Sequence, residues 1–195
     1  MCIVRSRGIR GIVTVHTSST PNRACGGFTA LELLVTITVA AIVTAFAAPA
    51  LGSFLTANRI AAEANALVSA FSFARSEAVT RSSAISMCPY GRDANGVYAC
   101  VNSTSWSGGW IVFTDATGTS GTFDGTDVLL RVFPGISGTD TLTATVSSLR
   151  FSTEGFLNAA AGASFALVPG HCSGLQRRAI SLSLQGRAHT APEAC

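Results

Sequence analysis

Glu32 is the residue whose position asks most of its surroundings. From Phe28 to Leu51 the chain reads FTALELLVTITVAAIVTAFAAPAL, almost without polar interruption. At about 1.5 Å per helical residue that stretch covers a bilayer's roughly 30 Å core, and a carboxylate inside it costs about 2.5–3.5 kcal/mol. A charge kept at that cost calls for a partner of opposite sign.

The other residues with chemistry to offer lie beyond this run. Cys88, Cys100, Cys172 and Cys195 are an even set that fits two disulfides outside the cytoplasm. Three pairings exist; the ease of closing short loops favours Cys88 with Cys100 and Cys172 with Cys195. A zinc set of His171, Cys172, His189 and Cys195 is the rival, but it lacks any CxxC or HxxxH spacing. The loop DATGTSGTFDGTD offers Asp115, Asp124 and Asp127 to Ca²⁺, yet it departs from EF-hand spacing and reads better as a solvated turn. No GxSxG, P-loop, Rossmann glycine pattern or HExxH occurs, so neither enzyme, cofactor nor metal is expected.

Charge separates two parts of the chain. All 13 basic residues are arginine, and Arg5, Arg7, Arg10 and Arg23 precede the apolar run while no acid does. The remaining nine arginines face ten acids, so the apparent basicity belongs to the N-terminal segment. By the positive-inside rule that segment stays cytoplasmic and the C-terminal part lies across the membrane. An ordinary secretory signal cleaved at AFAAPA (45–50) would release a soluble domain, and a plain signal anchor would stay uncleaved; neither has a use for Glu32.

The residues Gly26-Gly27 followed by FTALE resemble the class III signal of type IV prepilins and type II secretion pseudopilins. The resemblance implies that a prepilin peptidase cuts between Gly27 and Phe28 and that the new amine of Phe28 is methylated. Glu32 becomes the fifth residue and Pro49 the recurring helix proline. It also implies a role for Glu32: the carboxylate neutralises a neighbouring subunit's terminal amine and so sets the register between subunits. A leader of residues 1–27 is long for this family and holds no second Met, so either it is simply long or translation starts at a codon such as that of Val13 or Val15.

Ile60, Ala64, Leu67, Val68, Phe71, Ala74 and Ala78 recur at helical spacing, and Glu77 stands four before Arg81. A helix is expected from Phe28 to about Arg81: residues 28–51 for membrane and assembly, 52–81 an amphipathic stem, with a kink or local melting at Pro49 near Gly52. Residues 82–195 turn to short β-rich runs: AISMC, WIVFTD, VLLRVF, TLTATVSSLRFS, ASFALVP and AISLSLQGRA. The fold expected is α+β, a long N-terminal helix packed on an antiparallel sheet domain, with Trp110 and Phe113 in the sheet core.

FSFARSEAVTRSSAISMC (71–88), WSGGWIVFTD (106–115) and LQGRAHTAPEAC (184–195) look like the H-type pseudopilin and FimT family of minor pilins. The resemblance implies a structural subunit of a type II secretion pseudopilus or type IV pilus, single-pass in the inner membrane with its C-terminal domain in the periplasm, or at the cell surface within a pilus. Its partners would be other pilins or pseudopilins, the prepilin peptidase, the inner-membrane assembly platform and lipid. Some FimT-type pilins contact DNA through a Gly-Arg-x-Arg tail; here Gly186 and Arg187 match, but His189 replaces the second arginine. With Arg177 and Arg178 nearby, three cations would share one face if the hairpin folds back, giving weak, salt-sensitive phosphate binding.

Overall fold

The computed structural model describes residues 27–92 and 96–195. All of the 1–27 leader except Gly27, including the alternative starts Val13 and Val15, lies outside the described residues. Contacts divide the chain into two units at Ala45/Phe46.

Helix α1 spans Ala30–Arg81. Its start is set by Thr29, whose Oγ1 accepts from the Glu32 amide at 3.2 Å while its carbonyl accepts from the Leu33 amide. Thr29-x-x-Glu32 is thus a capping-box sequence, and Glu32 sits in the first turn, where the helix dipole favours negative charge. The hydroxyls in the apolar run are satisfied within the helix: Thr36, Thr38 and Thr44 donate to carbonyls three or four residues back. The side chains of residues 48–50 lie outside the described residues; the backbone is helical through Pro49, so the helix does not melt there. The helix ends in a Schellman motif, with Ser83 donating to Ala78 O, Ser82 donating to Val79 O, and Ser82 at φ 48°.

In the second unit, α1 buries Ile60, Ala64, Leu67, Ala70, Phe71, Ala74 and Ala78. That stripe keeps the helical period; Ala70 joins it, while Val68 is only half-buried. It packs on two antiparallel sheets built from β1 (Ile85–Arg92), β2 (Tyr98–Cys100), β3 (Gly109–Thr114), β4 (Leu129–Pro134), β5 (Thr141–Ala144), β6 (Leu149–Phe151), β7 (Ala163–Val168), β8 (Arg177–Leu182) and β9 (Ala188–Glu193). One sheet runs β2-β1-β3-β4, with β6 beside the first half of β1 and β2 beside the second half; the other runs β5-β7-β8-β9. The run TLTATVSSLRFS therefore holds two strands in different sheets, not one. Strands β2 and β9 have no counterpart among the runs expected from sequence; YAC is short, and AHTAPE carries a proline suited to the sheet edge it occupies.

The two sheets and α1 share one core, in which Phe165 lies 5.2 Å from Phe71 and 5.3 Å from Trp106, ring centroid to centroid. Trp106 is fully buried and donates its indole N–H to Val146 O at 3.0 Å. Strand β3 is buried on both faces, so its alternation is apolar against apolar. Trp110 and Val112 face the main core, whereas Ile111 and Phe113 join Cys88 in a second cluster with Phe123 packed against it.

Candidate functional site

In the first unit, Gly27, Phe28 and Thr29 precede the helix, and Phe28 is 84% exposed. The apolar side chains that follow, Leu31 through Val43, bury nothing against the chain itself: the most apolar 18-residue window of α1 has mean hydropathy 2.2 and is 0% buried. By length and composition this helix can cross a membrane. Glu32 is exposed on it, one turn from Phe28.

The four cysteines of the second unit form two bridges. Cys88–Cys100 ties β1 to β2, and Cys172–Cys195 ties the chain end to the β7–β8 loop, where Cys195 N also donates to Gly174 O at 3.0 Å. The second bridge takes both sulfurs out of the zinc set with His171 and His189. The acidic loop spends its carboxylates on itself. Asp124 accepts from the Thr126 hydroxyl and from the amides of Thr126 and Thr119, and these bonds, the Thr126 hydroxyl first, hold its carboxyl below the usual range. Asp127 accepts from the Asp124 amide; burial, the larger influence, pushes its carboxyl up. Asp115 is buried, pairs with Arg150 at 3.2 Å and accepts from Ser86 and the Gly121 amide. Among the described residues no group of three or more His, Cys, Asp or Glu is placed to hold a metal.

The tail residues lie on the β8–β9 hairpin, but not together. Arg177 stands opposite Glu193 in register and pairs with it, Nε to Oε2, at 3.1 Å. Its neighbour Arg178 points to the other face, as strand alternation requires, and donates to the Leu175 carbonyl at 2.9 Å. Arg187 and His189 sit at the turn end, exposed, beside Ser164 and Ser181 in a hollow of about 370 Å³. Five residues of strand, roughly 17 Å, separate the two ends. The hairpin does fold back, yet the antiparallel register sets Arg177 against an acid and leaves Arg187 with His189 only.

Gly186, the glycine of the tail motif, has φ 69°, and a Cβ there would meet Gly155 O at 2.8 Å and Arg75 Cδ at 3.2 Å. Packing alone thus requires it. Sequence reasoning missed the polar ties of the stem: Arg59 to Asp140, and the Ser137 amide to Glu63 at 3.0 Å. Asp140 sits in a GTDT stretch that reads as a turn, with no signal of its burial.

The family model described as Type II transport protein GspH matches residues 63–186, more than half of the chain. Among solved structures, the type IV minor pilin FimU of Pseudomonas aeruginosa (strain PAO1) is similar at TM-score 0.54 and 25% identity, over 69% of this chain and 90% of that one. A second crystal form of FimU gives 0.49 at 25% identity, over 66% and 90%. A search of curated proteins finds no match. An apolar helix with a carboxylate in its first turn, a stem packed on two antiparallel sheets and this family match together make the chain a member of the GspH family, a GspH/FimT-like minor pilin.

Proposed function

We propose that the chain is made as a prepilin, cut between Gly27 and Phe28 by a prepilin peptidase, held in the inner membrane by residues 28–51 with its C-terminal domain in the periplasm, and drawn by the assembly platform into a type II secretion pseudopilus or type IV pilus. There it supports protein secretion or pilus biogenesis. The observation that carries this reading is the unburied apolar half of α1 with Glu32 in its first turn. A surface of that length and polarity, 0% buried by its own chain, is served by lipid before assembly and by neighbouring helices after it. In the filament Glu32 neutralises the terminal amine of a neighbour, which fixes axial offset where apolar packing alone permits sliding.

The test is the mature protein itself. Intact mass should begin at a methylated Phe28, and Glu32→Gln should be processed normally yet be depleted at least about tenfold from sheared filaments. A mature chain retaining residues upstream of Phe28, or undiminished incorporation of the variant, overturns the reading.

A DNA-binding role in uptake is the second reading. It is favoured by one observation, the two exposed residues Arg187 and His189 in one hollow without an ion pair among the described residues. Duplex binding that falls with salt and is lost in Arg187→Ala supports it; no binding at low salt removes it.

A further inference from the structure

The ARSEA stretch near the end of α1 carries Arg75, and Arg81 follows six residues on; the two have different fates. Arg81 pairs with Glu77, while Arg75, half-buried, has neither an ion pair nor a hydrogen bond among the described residues. Every other described arginine except Arg187 is engaged: Arg131, for instance, lies over the rings of Phe73 and Phe133.

Arg75 is nevertheless held in place. Two glycines from separate turns, Gly155 at φ 80° and Gly186 at φ 69°, bring bare backbone against its side chain. A Cβ on Gly155 would stand 3.1 Å from Arg75 Cγ, and one on Gly186 would stand 3.2 Å from Arg75 Cδ. The arginine lies in a hollow of about 390 Å³ with Ser72, Ser76, Val79, Thr80 and Gly186. Confinement of this kind removes rotamer freedom before any ligand arrives, which lowers the cost of binding.

The surroundings select the ligand. Val79, 52% exposed, lines the hollow itself, while Phe156, 52% exposed, and Leu184, 38% exposed, stand on the turns that carry Gly155 and Gly186. A preorganised arginine flanked by exposed apolar side chains is the composition of a protein interface centre, in which apolar neighbours exclude water from a charge pair. A phosphate-backbone track instead gathers several cations in a polar groove.

We infer that Arg75 is a docking point for a carboxylate on a neighbouring pilin-type subunit, with Val79, Phe156 and Leu184 closing over the pair. The guanidinium fork donates two parallel hydrogen bonds to such a group. Four of this chain's own acids, Glu77, Asp115, Asp140 and Glu193, are already in ion pairs, and the inference commits to an acid on a different subunit type. The inference rests on the filament reading above.

The test uses the full-length chain in cells that make the filament, with a photo-crosslinking amino acid at Ser76 or, separately, at Leu34 on the apolar half of α1. The expected result is an adduct from Ser76 to another prepilin-type subunit, mapped to a peptide containing Asp or Glu. Arg75→Glu should reduce that adduct about tenfold or more, Arg75→Lys should keep part of it, and replacing the mapped acid by Arg should restore it in the Arg75→Glu background. Unchanged thermal unfolding of Arg75→Glu in detergent, or of Arg75→Gln if the charge reversal impairs folding, keeps the loss attributable to the interface. Adducts from Leu34 but not from Ser76, adducts only between copies of this chain, or an adduct indifferent to Arg75→Glu overturn the docking point and spare the filament reading. Absence of subunit adducts from both positions overturns both. If Arg75→Glu instead abolishes retention of duplex DNA and leaves subunit adducts intact, the ligand is phosphate and the inference is wrong.

Discussion

Arg59 and Asp140, 81 positions apart, meet through two hydrogen bonds of 2.9 Å each, Nε to Oδ2 and Nη2 to Oδ1. The carboxylate is 1% exposed and the guanidinium 46%, so the acid is the committed partner. Asp140 Oδ1 also accepts from the Gly170 amide at 2.9 Å, which makes one buried side chain the junction of α1, the loop before β5 and the loop after β7. Breaking a buried pair costs about 3–5 kcal/mol and a surface pair about 0–1. The half-exposed arginine places Arg59→Ala between these, at about 2 kcal/mol of destabilisation, roughly 4–8 °C in Tm for a chain of this size. Thermal unfolding in detergent measures it, and a double-mutant cycle with Asp140→Ala should return a coupling of at least about 1 kcal/mol. Additive single effects would mean that the contact carries no energy.

The end of α1 carries a cost that one substitution removes. Ser82 holds φ 48° to close the Schellman motif, a conformation that costs a side chain about 1–2 kcal/mol and glycine almost nothing. Glycine gives part of this back through the freedom of the unfolded chain. Ser82→Gly should therefore raise stability by about 0.5–1 kcal/mol, while Ser83→Gly, next in the chain, should not. A fall in Tm for Ser82→Gly would show that the serine hydroxyl matters more than its backbone angle.

The two bridges differ in the length of chain they close, 12 residues for Cys88–Cys100 and 23 for Cys172–Cys195. Each should contribute about 3 kcal/mol, with the longer loop ahead by only about 0.6 kcal/mol on chain-entropy grounds. Paired Cys→Ser variants of each bridge, unfolded thermally, give the comparison. Because Cys172–Cys195 clamps the terminus beside β9, its loss should also speed amide exchange at His189–Glu193 more than it speeds exchange in β1, which reports the global loss alone. Equal acceleration in both sheets would mean that the bridge acts only through the unfolded state.

How much of this was readable beforehand follows the range of the forces involved. The stem stripe from Ile60 to Ala78 is a local period of one helix facing one core, and all of it but Ala70 is legible in the sequence, which adds only the half-buried Val68. Strand β2 is three residues long and is held by its disulfide and by β1, so nothing in YAC announces it. The split of TLTATVSSLRFS between two sheets depends on residues far away: β5 pairs with β7, and β6 pairs with β1. At the tail, the types of Arg177, Arg178, Arg187 and His189 were plain, but whether their charges add depends on register. Register set Glu193 opposite Arg177, and alternation turned Arg178 to the other face.

The Gly-Arg pair of the tail separates folding from function. Gly186 stands where the hairpin turn passes Gly155 and Arg75, and its φ of 69° admits no other residue without strain. Gly186→Ala should cost about 1–3 kcal/mol, roughly 2–12 °C in Tm, by pressing a methyl against Gly155 O. Arg187, exposed and without an ion pair among the described residues, should be replaceable by Ala within about 0.5 kcal/mol. Any defect of Arg187→Ala in filament function or DNA retention is then a defect of contact, whereas one of Gly186→Ala should vanish on lowering the temperature until the variant is fully folded. If Gly186→Ala unfolds like the parent protein yet loses function at every temperature, the glycine is read by a partner, and its packing against Arg75 is not the reason it is there.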